Sequence, residues 1–156
     1  MIFTPTTRQQ LALEAVLDIA YHSLDNLVQS SDITARQAIP RRSLEPVLQH
    51  LTRAGILAGV RGPRGGYRLA REKRRITVAD VFRAVNGADE ASEANRPDQN
   101  SANDYSLGAR ILMPLWHEVS QEVQSGLEKI TLESLCSQAQ KLGIKSQARR
   151  SSDFTI

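Results

Sequence analysis

One cysteine, Cys136, is present in 156 residues. It can form no internal disulfide and alone cannot make a cysteine-only metal site. Long apolar runs are missing too: no stretch reaches the roughly 18 consecutive apolar residues of a membrane-spanning helix. The start, Met1-Ile2-Phe3-Thr4-Pro5, has no basic region followed by an apolar run, which argues against a secretory signal and for a cytoplasmic protein. No glycine-rich loop ends in Gly-Lys-Ser/Thr, so a phosphate-cradling nucleotide site of that kind is not expected. The three histidines, His22, His50 and His117, are dispersed, and no nucleophile–base or carboxylate pair sits on a recognisable scaffold. An enzyme is therefore not expected. Aromatics are scarce at 4%, but a hydrophobic content of 40% is that of an ordinary globular chain.

What is present is an uneven distribution of charge. The formal net charge is only +3, yet residues 36–75 carry eleven Lys or Arg against two acids, while residues 76–133 carry four against ten. A block this basic is either a solvated face or the footprint of a polyanion partner such as nucleic acid. The structure it builds decides which.

Residues 8–24 have the spacing of an amphipathic helix, with Leu11, Ala15, Ile19 and Ala20 on one face and Thr6 or Thr7 as cap. Residues 30–37 read as a short second helix capped by Ser30, with Asp32 favourably placed in its first turn. A third spans about 42–54 with Leu44, Val47, Leu48 and Leu51 inward; Pro46 is taken to mark a late start, inside the first turn. Gly55 is a left-handed cap candidate. The period then changes: 56–60 and 67–69 read as two antiparallel strands around the tight loop 61–66. Thr77 and Asp80 make a capping-box pair for a fourth helix. Three helices followed by a basic hairpin is the order of a winged helix-turn-helix domain, expected over residues 1–86.

Residues 87–104 are polar and acidic and read as a flexible loop. A long amphipathic helix follows, with Leu107, Ile111, Leu115, Val119, Val123 and Leu127 at steps of four, joined by Leu112 and Trp116. Pro114 means that it either kinks or begins near Leu112. Its apolar face needs cover, either from its own domain or, more economically, from a second copy. Thr131 caps a short helix, giving a dimerisation unit over 105–140 and a polar, frayed tail over 141–156. The fold class expected is mainly α with a small β-hairpin.

In a helix-turn-helix the second helix of the pair enters the major groove by its N-terminal residues. Here these are Arg41, Arg42, Ser43 and Glu45, with Gln49 one turn on. Arginines bind guanine edges in bidentate fashion or anchor to phosphate. Glu45 either accepts from a cytosine amine or orients Arg41 or Arg42 through a salt bridge. In the hairpin, Gly62, Gly65 and Gly66 permit close backbone approach, and Pro63 stiffens the tip. Arg61, Arg64 and Arg68 flank that slim edge, which suits a minor groove; a mobile hairpin with solvated arginines is the alternative. Tyr67 either packs its ring with the hydroxyl at the DNA backbone or simply fills the core. Arg71, Lys73, Arg74 and Arg75 extend the basic edge for nonspecific phosphate contact.

The segments Leu17-Asp18-Ile19-Ala20, Leu44-Glu45-Pro46-Val47-Leu48, Leu51-Thr52-Arg53-Ala54-Gly55-Ile56-Leu57 and Val60-Arg61-Gly62-Pro63-Arg64-Gly65-Gly66-Tyr67-Arg68-Leu69 resemble the Rrf2 family of bacterial transcriptional regulators. The likeness runs over roughly residues 6–135. It implies a homodimer held by the long helix through Leu107, Ile111, Leu115, Trp116, Val119, Val123 and Leu127, reading an imperfect palindrome in double-stranded DNA. It also implies that Glu45 takes part in discriminating binding sites. Many members of the family hold an iron–sulfur cluster on three cysteines in the loop before the long helix. That loop contains no cysteine here, and Met113 stands where the family has a further histidine ligand. No cofactor or metal is therefore expected. Cys136 is either an inert buried thiol or a redox switch. An unknown metabolite or protein effector remains open as a partner; a membrane does not. The rival function is a protein-interaction module that retains the fold without reading DNA.

Overall fold

The computed structural model describes residues 1–23, 26–87 and 106–147; the acidic loop after Gly87 and the tail beyond 147 lie outside them. Helix α1 (Thr7–His22) starts where the Thr6 hydroxyl accepts from the Gln9 N–H at 3.2 Å and the Gln9 side chain accepts from the Thr6 N–H at 2.9 Å. Its fully buried stripe of Ala12, Ala15, Val16 and Ile19 is the axis of the core. Small side chains on that stripe let the third and fourth helices approach it closely.

Asp18 breaks the apolar stripe. Its side chain has no exposure, and it is held by Arg36 of α2 (Ser30–Gln37) through the fork of Nη2 at 2.7 Å and Nε at 3.0 Å. The Gln37 amide donates a further bond at 2.8 Å. A buried charge is tolerated only when paired and hydrogen-bonded in this way.

The start of α2 differs from expectation: Ser30 is its first helical residue, and Gln29 is the cap. The cause is tertiary. Val28 exchanges backbone hydrogen bonds with Tyr67 at 2.9 and 2.8 Å, holding the chain extended until Gln29. The Asp32 carboxylate then accepts from the Gln29 N–H at 3.1 Å. Ala38, in the left-handed region at φ 54°, ends the helix and makes the turn.

Helix α3 (Arg41–Arg53) also begins earlier than the proline suggested, so Pro46 lies in the second turn rather than the first. The ring deprives the Arg42 carbonyl of its partner, but Arg42 and Pro46 are both exposed and water has access. Leu44, Val47, Leu48 and Leu51 are buried as expected. Gly55, at φ 74°, closes α3 in a Schellman motif, with Ile56 N–H donating to the Leu51 carbonyl at 3.0 Å. Strands β1 (Leu57–Val60) and β2 (Gly66–Leu69) pair antiparallel, Leu57 opposite Leu69 and Val60 opposite Gly66. A 3₁₀ turn at Lys73–Arg75 leads to α4 (Val78–Asn86), capped by the expected Thr77–Asp80 box with bonds of 3.0 and 3.2 Å.

Past the loop, a π-helical turn at Gly108–Leu112 feeds α5 (Met113–Glu128), with Pro114 in its first turn. The wider turn, closed by Met113 N–H to the Gly108 carbonyl, lets the chain enter a helix whose first residues include proline. The short helix that the sequence groups with α5, α6 (Leu132–Lys141), instead packs into the winged unit: Leu132 and Cys136 join its core. Backbone bonds of 2.9 Å from Val78 to Ile130 and from Leu132 to Ile76 join the entries of α4 and α6. Nor is the described start of the tail loose, since Ser146 is buried against α1.

Replacing Arg36 with alanine leaves the buried Asp18 carboxylate without its guanidinium partner. The expected loss of stability is about 3–5 kcal/mol, with an unchanged dependence on denaturant, measured by urea unfolding.

Candidate nucleic-acid interface

Arg41, Arg42, Glu45 and Gln49 lie on the exposed side of α3, and Ser43 is half-buried. Four-residue spacing stacks Arg41 over Glu45, and the Arg41 Nε donates to the Glu45 carboxylate at 2.7 Å. One of the two uses open to Glu45 is a salt bridge that orients an arginine, and Arg41 and Glu45 make such a bridge. Both side chains are largely exposed, so the pair contributes little to stability but restricts where the guanidinium points.

The hairpin tip is shaped by backbone contact. A Cβ on Gly65 would stand 2.1 Å from the Val60 carbonyl oxygen, so no side chain fits; Gly65 N–H donates to the Gly62 carbonyl at 2.9 Å. Gly62, at φ 114°, takes a conformation that L side chains rarely adopt. Gly66 meets the Val28 carbonyl, through which β2 is tied to the chain entering α2. The wing is thereby fixed to the helix-turn-helix by backbone.

Between them α3, the start of α2 and the hairpin enclose an open groove of about 590 Å³. Arg41, Gln49, Arg61, Gly62, Pro63, Gly65 and Tyr67 line it together. Arg64 sits exposed at the tip outside this lining; on α3, exposed Arg42 and Glu45 and half-buried Ser43 also lie outside it. Arg68 alternates with Tyr67 along β2 and so lies on the hairpin's other face. Tyr67 packs against the core, its ring crossing the strand pair over Gly59. Sequence reasoning missed Gln29, Ser30 and Ser31, which bring the N-terminus of α2 to the groove, and Thr52 and Arg53 from the end of α3. The two serines at a helix start were the available signal; the bridge from Val28 that aims them was not visible.

The residues of the long helix fall into two groups. Val123 and Leu127 are half-buried and, with Val119, face Phe82 and Phe3 across a cleft of about 320 Å³. Leu107, Ile111, Leu115 and Trp116 stand exposed, by 80% at Leu107 and 58% at Trp116. Leu112 and Met113 widen this bare apolar surface.

Cys136 is 4% exposed, and burial pushes its thiol above the usual range, although nearby Lys73 acts the other way. Among the described residues, no group of His, Cys, Asp and Glu could hold a metal ion. A cluster bound by several thiolates does not fit a chain with one cysteine, and that one shut in a helical core.

Helices α2 and α3, the hairpin and α4 define a winged helix-turn-helix. A family model described as Rrf2, iron-dependent transcriptional regulator, matches residues 5–138. The chain is 39% identical over 131 residues to the HTH-type transcriptional regulator IscR of Photobacterium profundum, covering 83% of this chain and 73% of that protein. It is 36% identical to IscR of Vibrio parahaemolyticus, covering 91% and 82%. The structure of T. potens IscR superposes with a TM-score of 0.72 at 26% identity, over 96% of this chain and 98% of that one. CymR, the global cysteine regulator of B. subtilis, shares the fold with a TM-score of 0.67 at 24% identity, over 87% and 98%. The chain belongs to the Rrf2 family and is a DNA-binding transcriptional regulator, not an enzyme.

A thiol this enclosed is expected to react with a disulfide reagent at neutral pH far more slowly than a free cysteine, and at the full rate only in denaturant. Stopped-flow labelling with Ellman's reagent measures both rates; fast labelling of the folded protein would favour the redox-switch reading.

Proposed function

We propose that this regulator is a homodimer that reads an imperfect palindrome in double-stranded DNA, with α3 in the major groove and the Gly62-Pro63 tip in the minor groove. One observation carries the reading: Arg41 and Gln49 of α3 share a groove with Arg61, Pro63 and Tyr67 of the hairpin. A duplex that follows this surface meets the helix and the wing at once. In this reading Arg41, oriented by Glu45, and Arg42 face base edges, with Ser43 and Gln49 as secondary contacts. Arg61 and Arg64 meet phosphates or the minor groove, whereas Arg68, on the hairpin's other face, stands outside this contact. Gly62, Pro63 and Gly65 keep the tip narrow, and Tyr67 buttresses it.

The bare apolar surface of Leu107, Ile111, Leu115 and Trp116 supports a second copy as cover, with Val119, Val123 and Leu127 continuing the seam. The regulator works without an iron–sulfur cluster held by cysteines, and any effector is a metabolite or protein. No helix among the described residues is long and apolar enough to cross a membrane.

Fluorescence anisotropy on a matched set of duplexes tests the division of labour. Arg64→Ala should weaken binding to every duplex and reduce the salt slope by about 1. Arg41→Ala or Arg42→Ala should also alter preference among sites, by about 1–3 kcal/mol. Equal loss on all duplexes from all three substitutions contradicts it, and failure of the unaltered chain to prefer any duplex favours an interaction module. For the seam, Trp116→Asp is expected to shift the sedimentation coefficient from that of a dimer to that of a monomer.

A further inference from the structure

Helix α6 ends in a turn that sends the chain back to α1: Gly143 is left-handed at φ 74°, and Ile144 N–H donates to the Ala139 carbonyl at 3.1 Å. The next residues are fastened to the last turn of α1. The Tyr21 hydroxyl donates to the Ile144 carbonyl, and the buried Ser146 hydroxyl donates to the Tyr21 carbonyl at 2.8 Å. The Gln147 N–H donates to His22 Nδ1 at 3.1 Å. From that anchored backbone the Gln147 side-chain oxygen accepts from Arg36 Nη1 at 3.0 Å. The guanidinium is therefore gripped on two edges, by Asp18 through Nε and Nη2 and by Gln147 through Nη1.

Arg36 belongs to a helix that needs this grip. Helix α2 has eight residues and one buried side chain, Ile33, so its own hydrogen bonding and burial hold it weakly. Its N-terminal end is placed by the Val28 bridge and lines the groove through Ser30 and Ser31. Its other end is placed by Arg36, about 9 Å along the axis from Ser30 at the rise of a helix.

We propose that Ile144–Gln147 is a strap that seats α2, and that Gln147 is a positioning residue for DNA reading, acting through Arg36 and touching no DNA itself. The inference rests on the DNA-reading role proposed above.

Four variants of the full chain test it: Gln147→Glu, Gln147→Ala, Gln147→Lys, and a chain stopped after Gly143. Duplex affinity is read by anisotropy, α2 amide exchange by mass spectrometry, and folding by circular dichroism. The alanine variant should bind about two- to fivefold more weakly, the scale of one lost hydrogen bond, with faster exchange in α2. The lysine variant, with a cation beside Arg36, should be weaker still. The glutamate variant keeps the acceptor and should match the unaltered chain. The shortened chain should lose more than about tenfold, the scale of several such bonds lost together. If the unaltered chain binds duplex but the series shows no order in affinity or exchange, or if glutamate falls with alanine, the strap is overturned. If the unaltered chain binds no duplex, the DNA reading fails and α2 exchange alone decides: ordered exchange upholds the strap, and flat exchange overturns it.

Discussion

The ion pair between Asp18 and Arg36 is the contact on which the placement of α2 in the winged helix-turn-helix depends. Asp18 lies one turn before the end of α1, beside the fully buried Ile19, and among the described residues its hydrogen bonds come from α2, with His22 Nε2 3.9 Å away. Removing a carboxylate from water costs several kcal/mol, which the fork of Arg36 and the Gln37 amide must offset by geometry. The hydrogen bond to Asp18 is the largest of the effects that raise the Arg36 pKa, so the cation is firmly committed to this site. Such a pair is weak as a source of net stability, and its two-pronged geometry ties α2 to α1 at one defined point. With the Val28 bridge at its other end, α2 has its orientation set twice by polar contacts rather than by a large apolar face.

That constraint propagates outward. The left-handed Ala38 and the buried Ile39 follow directly from the end of α2, so α3 inherits its starting direction. The hairpin inherits a position from the other side, because β2 pairs with Val28 and its Gly65 and Gly66 allow backbone approach. Helix and wing are thus referred to a common origin at α2. The long helix is attached more loosely to this unit, through a half-covered cleft at α4, whereas α6 beyond it is part of the core.

Much of this was legible in the residues because it is local. The Gly-Pro-Arg-Gly-Gly loop, the Thr77–Asp80 box, the Gly55 cap and the period of α3 depend on near neighbours, and each stands where spacing places it. The departures come from distant partners or from solvent. Ser30 looks like a cap until Val28 is seen to hold the chain extended. Pro46 looks like a first-turn residue because an internal proline leaves a carbonyl unpaired, a penalty that is reduced where that carbonyl can reach water. The tail looks polar and loose because its partners, Tyr21, His22 and Arg36, lie more than a hundred residues away. Asp18 was the one readable hint, an acid within an apolar stripe, but nothing local names Arg36 as its mate. The positions of Arg41, Gln49, Arg61 and Tyr67 in one groove follow from the fold class. Those of Arg64 and Arg68, at the tip and on the far face, required the strand register.

The function proposed for this regulator turns on recognition of particular DNA sequences without iron. The most direct measurement is salt-dependent binding of oxygen-free purified protein to a library of genomic duplexes, with iron and sulfide content recorded. Tight, sequence-selective binding by protein that contains neither is the expected result. Selectivity that appears only when iron is bound, or binding that never distinguishes one duplex from another, would contradict it.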